Sequence, residues 1–140
     1  MSQTRIYVPL NSARLRELNE TRTLAESPLV AFAVTSRLER SMPTGDEEEW
    51  EYAALCDAVE AASVLRDQQD AKRVVAAADV EADWVRAGGE ASALSAVEVT
   101  EALPLPRIVS FHIDESPGAD GAEDLLWYDA TELAEVTRLV

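Results

Sequence analysis

The sequence predicts one α+β domain spanning residues 1–140, with a mixed β-sheet of five or six strands, one long acidic helix and shorter helices. Three observations predict this fold. Several short segments alternate apolar and polar side chains, as strands do. One long segment repeats apolar side chains every three or four positions, as a helix does. The length of 140 residues suits a single core, which buries about two thirds of the surface that the unfolded chain exposes.

The first half of the chain predicts three strands separated by helices. Residues 5–10 alternate as a first strand, and Asn11 or Ser12 can cap a short helix after it. Residues 29–35 (LVAFAVT) are apolar on both faces, which is typical of a strand at the centre of a sheet. Residues 72–80 are expected to form the third strand. Because crossovers between such strands are right-handed, we expect all three to run parallel.

The long helix is expected over residues 46–67. Its first turn holds four acids, whose negative charge the helix dipole favours at that end. Apolar and small side chains follow at spacings of three and four and predict a buried stripe. The stripe consists of Tyr52, Leu55, Cys56, Val59, Ala62 and Ser63. This position predicts that Cys56, the single cysteine of the chain, is buried and chemically inert.

The second half of the chain predicts a loop, two strands and a terminal helix. Residues 83–92 are expected to form the loop. The alternating segments 95–101 and 107–114 are expected to pair antiparallel, because only a short proline-containing link separates them. Asp129 and Glu132 have the spacing of a capping box and predict the start of the terminal helix.

Charge is unevenly distributed along the chain. The whole sequence carries −15, while residues 1–45 carry +2 and residues 46–140 carry −17. The absence of a dense basic stretch argues against nucleic acid as a ligand, because such binding depends on basic groups that neutralise phosphates. Binding to anionic membranes is excluded for the same reason. The uneven charge favours a homodimer or another protein partner, with Arg14 and Arg16 against an acidic surface.

The sequence predicts a cytoplasmic protein. No apolar run approaches the roughly 20 residues that span a bilayer. The first residues, MSQTRIYVPL, lack the charged start and long apolar stretch of a secretory signal. The single cysteine suits a reducing compartment.

Several segments carry a family resemblance. They are RIYVPL at the start, RVVAAADV at residues 73–80, HID at residues 112–114, GDEEEWEYAAL at the opening of the long helix and LLWYDATEL near the end. Over most of its length the chain resembles an uncharacterised family of small actinobacterial proteins, a domain of unknown function in which these motifs recur. The resemblance implies no activity, cofactor or site residue. In the family that the chain resembles, a longer insert separates the HID and LLWY segments. This chain has only about ten residues there.

The sequence contains one histidine, which limits the acid–base chemistry that the chain can perform. Because His112 is the only histidine, a mechanism that uses imidazole as a base near neutral pH depends on it. Ser110 and Asp114 lie two residues to either side on the same strand face and can hydrogen-bond to it. Glu115 is a further candidate acid or base. The alternative is a histidine on the solvated face of an antiparallel strand, without a functional role.

Two acidic segments are candidates for a cation site. Glu47 or Glu48 can pair with Glu51 on one helix face and bind magnesium or calcium, although a favourable helix start explains the same residues. The other candidates are Asp114, Glu115, Asp120, Glu123 and Asp124. They do not match a calcium loop, because Ser116 and Gly118 stand where carboxylates belong. No phosphate-binding loop, dinucleotide fingerprint or nucleophile elbow occurs in the sequence, so we expect no cofactor.

Aromatic side chains are candidates for contact with a ligand or partner, because such rings are favoured in interfaces and binding cavities. The candidates at helix ends and loops are Trp50, Trp84, Trp127 and Tyr128. Tyr7 joins them if the first strand ends where the long helix starts, since ligands favour that edge of a parallel sheet. The alternative is that these rings fill the edges of the core.

These observations favour a non-catalytic cytoplasmic binding or interaction module. The alternative is an enzyme that acts on a small substrate, with His112 and either Asp114 or Glu115 as acid and base. A third interpretation, mimicry of nucleic acid by the acidic helix, requires carboxylates exposed in a row.

Overall fold

The computed structural model describes residues 2–66, 71–89, 92–119 and 121–140. The strands are β1 (Gln3–Leu10), β2 (Thr23–Leu24), β3 (Leu29–Phe32), β4 (Val74–Glu81), β5 (Val85–Ala87), β6 (Ala96–Val99), β7 (Leu103–Pro104), β8 (Ile108–Asp114) and β9 (Leu125–Asp129). The α-helices are α1 (Ser12–Thr21), α2 (Ser36–Ser41), α3 (Glu47–Leu65) and α4 (Leu133–Leu139). Short 3₁₀ turns precede β5, β8 and α4. The predicted α+β class is confirmed.

One large antiparallel sheet organises the fold. Its seven strands lie in the order β5-β6-β3-β1-β4-β8-β9, and every neighbouring pair in it is antiparallel. The strands β2 and β7 form a separate two-stranded sheet. The predictions of five or six strands and of a mixed sheet with three parallel strands were therefore wrong.

The connection after β1 explains why the parallel prediction failed. The segment that follows α1 runs back along that helix: Glu17 accepts a hydrogen bond from the backbone N–H of Ala25 at 2.9 Å, and Arg14 pairs with Glu26 at 2.8 Å. The chain thereby returns to the end of β1, and β3 pairs with β1 antiparallel. Because β4 is also antiparallel to β1, β3 and β4 do run in the same direction, but β1 lies between them.

The prediction that β6 pairs with β8 was also wrong. β6 pairs with β3 and β5, whereas β8 pairs with β4 and β9. The proline-containing link is not a tight turn. It contains β7, which pairs with β2, and a 3₁₀ turn at Leu105–Arg107, so it carries the chain from one half of the sheet to the other.

Helices cover both faces of the sheet. On one face α1 and α4 pack in the larger core cluster, which includes Leu15, Leu18, Phe111, Leu133 and Val136. On the other face α3 packs against β1, β3 and β4. Among the described residues, no helix has the combination of length and apolarity needed to cross a bilayer.

The buried stripe of α3 differs from the predicted one. Its buried residues are Ala54, Ala58, Val59 and Ala62, so small side chains at intervals of four bring the helix close to the sheet. Tyr52 is 48% exposed, and Cys56 is only partly buried, which contradicts the prediction of an inert buried thiol. Both residues lie beside the alanine row and face the chain before β9 rather than the sheet.

The helix starts follow the predicted capping chemistry. Asn11 caps α1, and its side chain accepts a hydrogen bond from the backbone N–H of Arg14 at 3.0 Å. Asp46, which was expected in the first turn of the long helix, instead caps α3 in the same way as Asn11 caps α1. The predicted capping box is confirmed, because Glu132 accepts a hydrogen bond from the backbone N–H of Asp129 at 3.0 Å. The predicted end of the long helix at Asp67 lies outside the described residues.

The predicted loop over residues 83–92 is only partly confirmed. Its first part contains a 3₁₀ turn and the strand β5. Residues 90 and 91, and Asp120 of the acidic segment between β8 and β9, lie outside the described residues.

Candidate functional site

Several of the predicted candidates lie together on the α3 face of the sheet. The register places Tyr7, Ser110, His112 and Trp127 on neighbouring strands with side chains on this face. His112 and Trp127 are directly paired across β8 and β9. The Oγ of Ser110 lies 3.1 Å from Nε2 of His112. The contact between residues two apart on one strand face was predicted, and it is present.

The environment of His112 favours a neutral imidazole. Burial lowers the pKa of His112 below its ordinary value, and the positive charge of Arg5 lowers it further. A neutral imidazole can accept the hydroxyl proton of Ser110 in a hydrogen bond. Ser110 itself is only 3% exposed, so a substrate has little access to its oxygen.

Protonation of His112 is expected to make stability depend on pH. Because the folded pKa lies below the unfolded value of about 6.5, the unfolded chain binds more protons between these two values. The free energy of unfolding is therefore expected to fall as pH decreases below about 6.5, and His112→Gln should remove this component. Urea denaturation of both proteins between about pH 5 and 8 measures it. Parallel pH profiles for the two proteins would contradict this assignment.

Asp114 binds Arg73, whereas the enzyme interpretation requires it to act together with His112. Its two carboxylate oxygens accept hydrogen bonds from Nη2 and Nε of Arg73 at 2.7 and 2.9 Å, and one also accepts from the backbone N–H of Arg73 at 2.7 Å. Glu115 is exposed at the end of β8. The three predicted acid–base residues therefore do not form a triad-like arrangement.

A polar cleft of about 450 Å³ lies where β1 begins beside the first turns of α3. It is lined by Gln3, Thr4, Arg5, Val34, Glu39, Glu47, Glu51 and Asp79. Arg5 donates to both oxygens of Asp79 at 2.7 and 3.2 Å. Burial and the nearby Glu51 carboxylate raise the pKa of Tyr7. Glu48 is exposed and does not line this cleft, and the described part of the chain contains no group of three or more side chains placed to hold a metal ion.

The position predicted for Tyr7 depended on a wrong helix direction. The cleft shows that α3 starts beside the beginning of β1, not beside its end. At the other end of the helix, Asn11 Nδ2 donates a hydrogen bond to the carbonyl oxygen of Leu65 at 2.9 Å. Tyr7 is buried between these ends and packs in the α3 core.

The tryptophans and Tyr128 have different environments. Trp50 Nε1 donates to the carbonyl oxygen of Met42 at 3.1 Å, and its ring packs against the core. The guanidinium of Arg107 lies 5.0 Å from the centre of the Trp84 ring. Tyr128 also packs against the core, whereas Trp127 is 63% exposed. Trp127 is therefore the aromatic candidate most available to a partner.

The two arginines predicted at an interface also differ. Arg14 forms an intramolecular ion pair with Glu26, at 2.8 Å. Arg16 is exposed on α1.

Sequence reasoning missed another cavity, of about 530 Å³, beside α3. Tyr52, Cys56 and Arg66 contribute to its wall. Arg66 is the residue that ends α3. An arginine directly after an apolar helix is a weak sequence signal, because only the fold determines whether its guanidinium is covered.

Comparisons with known proteins identify a family but no activity. The model of a family of unknown function (DUF6912) matches residues 4–137. No curated protein has a significant match to the chain. No solved structure has a significant match either.

Proposed function

The chain belongs to this family of unknown function, which brings no assigned activity, and we propose from its surface that it is a non-catalytic module that binds a protein segment along β9. The exposed Trp127 on the outermost strand carries the proposal. We place the module in the cytoplasm, where a chain with the single cysteine Cys56 suits the reducing conditions.

The outer edge of β9 has the properties of a strand-addition site. An edge strand presents backbone N–H and C=O groups that another extended chain can pair with. Proteins commonly protect such edges with lysine, proline or a bulge, and Leu125–Tyr128 contain no lysine and no proline. Trp127 on one face and Leu126 on the other are both exposed and supply apolar contacts beside the backbone pairing.

Charge decides which kind of segment fits this edge. Acids lie at both ends of β9: Asp124 precedes it and Asp129 ends it. If two copies paired through Leu125–Tyr128 in antiparallel register, Asp124 of one copy would face Asp129 of the other, and each copy carries −15. Like charges placed opposite each other disfavour a pair of strands. The partner that fits is an extended segment with an apolar centre and a lysine or arginine at each end.

The enzyme interpretation has less support from the geometry. The acid that it needs beside His112 is held by Arg73, and the neighbouring hydroxyl of Ser110 is buried. A general base must lie within hydrogen-bond reach of the proton that it removes from a substrate.

Binding of two synthetic peptides tests the proposal. The peptide KTVTVTK is expected to bind and to shift the amide NMR signals of β9, whereas ETVTVTE is not, because the acids at the ends of β9 repel it. Trp127→Ala is expected to weaken KTVTVTK binding by about tenfold or more, as for a central interface tryptophan. Val64→Ala is the control, since Val64 is an exposed apolar residue on α3.

Three results of these binding experiments would contradict this assignment. They are equal binding of the two peptides, signal shifts centred away from β9, and equal effects of the two substitutions. A dimer in light scattering that Trp127→Ala dissociates would also contradict it, because a second copy would then occupy the edge.

A further inference from the structure

An apolar cleft of about 660 Å³ lies just past the end of β9, where the chain turns towards α4. Its volume lies in the range of sites for small molecules. Ile108 belongs to the larger core cluster, and Leu105 and Ala130 pack against that cluster, so the core holds this part of the wall in place. The apolar residues of the wall are Leu105, Pro106, Ile108, Val109 and Ala130.

Arg22 also lines the apolar cleft, and its backbone has an unusual conformation. It directly follows α1 with a φ of 63°, in the left-handed region that glycine adopts most readily. Among the described residues it is the only one other than glycine with a positive φ. Two backbone hydrogen bonds hold it there. Its N–H donates to the carbonyl oxygen of Leu18 at 2.9 Å, and its carbonyl oxygen accepts from the N–H of Leu105 at 2.8 Å.

The contacts of the Arg22 side chain do not explain this conformation. The side chain is exposed, and within the described part of the chain its guanidinium has no hydrogen bond and no ion pair. A positive charge at the end of a helix interacts favourably with the helix dipole, but an arginine in the last turn of α1 would supply that charge without a left-handed backbone. An unpaired cation therefore lies beside the apolar cleft, at a position where glycine would be less strained.

We propose that the apolar cleft binds a small carboxylic acid, with the carboxylate at the guanidinium of Arg22 and the apolar part against Leu105 and Val109. Guanidinium and carboxylate form charge-assisted hydrogen bonds, often two in parallel. The apolar wall supplies the contacts that an exposed ion pair alone lacks. The apolar cleft does not include the edge of β9, so this proposal does not depend on the function proposed for that edge.

Nearby charge limits the ligand to one negative group. Asp129 is the acid among the described residues that line the apolar cleft, and its carboxylate accepts a hydrogen bond from the hydroxyl of Thr131 at 3.3 Å. A second negative charge on the ligand would be repelled by Asp129, so the cleft favours a carboxylate over a divalent phosphate monoester. The charge of −15 on the whole protein does not exclude an anion, because at physiological ionic strength charges more than about 8 Å apart are largely screened.

Titrations with 4-phenylbutyrate and with its uncharged counterpart, 4-phenylbutyramide, test the proposal. The acid is expected to shift the amide NMR signals of Val109 and Thr131 more than those of Leu126 and Trp127, which lie on the β9 edge. The uncharged compound is expected to bind about tenfold more weakly, because it lacks the charge that pairs with Arg22.

Arg22→Gly separates a role in binding from a role in the fold. It is expected to weaken binding of 4-phenylbutyrate about tenfold and to leave binding of the uncharged compound unchanged. Because glycine adopts the left-handed conformation without strain, the same substitution is expected to raise the unfolding midpoint of the ligand-free protein by about 2–4 °C. Arg16→Gln is the control. It removes the same charge from an exposed position of α1 outside the apolar cleft, so both affinities are expected to stay unchanged.

Other outcomes would overturn the proposal. If 4-phenylbutyrate does not bind at up to about 10 mM, or binds no more tightly than the uncharged compound, Arg22 does not form a carboxylate site. If Arg22→Gly lowers the unfolding midpoint and leaves the affinity for the acid unchanged, the arginine serves the end of α1 instead. If Arg16→Gln weakens binding as much as Arg22→Gly does, general charge explains the effect. If 3-phenylpropyl phosphate binds more tightly than 4-phenylbutyrate, the assignment of a monovalent ligand is wrong.

Discussion

Asp114→Ala is expected to lower the free energy of unfolding by about 3–5 kcal/mol. The carboxylate is 2% exposed and its partner Arg73 is 6% exposed, so the substitution breaks a buried ion pair by removing one of its members. It also removes the acceptor of the Arg73 backbone N–H, which binds the carboxylate at 2.7 Å. Urea denaturation with fluorescence detection measures the loss.

The matched control for this substitution is Asp79→Ala. Asp79 pairs with Arg5 at 2.7 Å, and the two side chains are 36% and 38% exposed, so water screens the pair. Asp79→Ala is expected to lower the free energy of unfolding by about 0–1 kcal/mol. Equal losses at Asp114 and Asp79 would contradict the role given to burial. The double substitution Asp114→Leu with Arg73→Met is expected to restore most of the lost stability, because both members of the buried ion pair are then removed together.

Phe111→Ala is expected to have a comparable effect, of about 3–5 kcal/mol. Phe111 is the largest of the fully buried side chains, and it lies on β8 in the core cluster that includes Leu133 and Val136 of α4. Truncation leaves a cavity that the rigid sheet cannot fill. The midpoint and slope of urea unfolding are the measurement.

A neighbouring residue on β8 gives the control for Phe111. Val109 is 39% exposed, and Val109→Ala is expected to change the free energy of unfolding by no more than about 0.5 kcal/mol. A loss below about 1 kcal/mol for Phe111→Ala would show that the core relaxes around the missing ring, against this expectation.

Local features of the fold were predictable from the sequence, and strand partners were not. The cap at Asn11 and the box of Asp129 with Glu132 depend on residues three apart, so short windows of sequence contain the whole signal. Strand pairing, in contrast, joins residues that are far apart in the sequence. The alternation in β6 and β8 is compatible with many neighbours, and nothing local distinguishes a direct hairpin from a link that crosses to the other half of the sheet.

The stripe of α3 shows a second limit of sequence patterns. Tyr52 and Cys56 are four residues apart, and so are Ala54 and Ala58. Both pairs fit the helical period, and hydrophobicity alone predicts that the pair with the larger side chains, Tyr52 and Cys56, is the buried one. The structure buries the alanines because small residues allow the helix to approach the sheet closely, which depends on the surface opposite.

In the candidate site, too, some contacts follow from a local sequence pattern and others join distant residues. Ser110 and His112 share a strand face, so their contact follows from the period of a strand. The engagement of Asp114 by Arg73 joins residues 41 positions apart, one from each of two motifs that carried the family resemblance. The burial of the Nε and Nη1 atoms of Arg66 appears only in the folded chain, so no local pattern indicates it.

The position of β1 in the sheet has a consequence for biosynthesis. β1 lies between β3 and β4, and its register joins Leu10 to Val74 and Gln3 to Glu81. At about 5–20 residues per second, a ribosome needs about 4–14 s to extend the chain by the roughly 70 residues that separate these partners. During that time the apolar segment around Ile6 and Val8 has no β4 to pair with. The nascent chain therefore contains its central strand roughly 70 residues before the strand that encloses it on the β4 side.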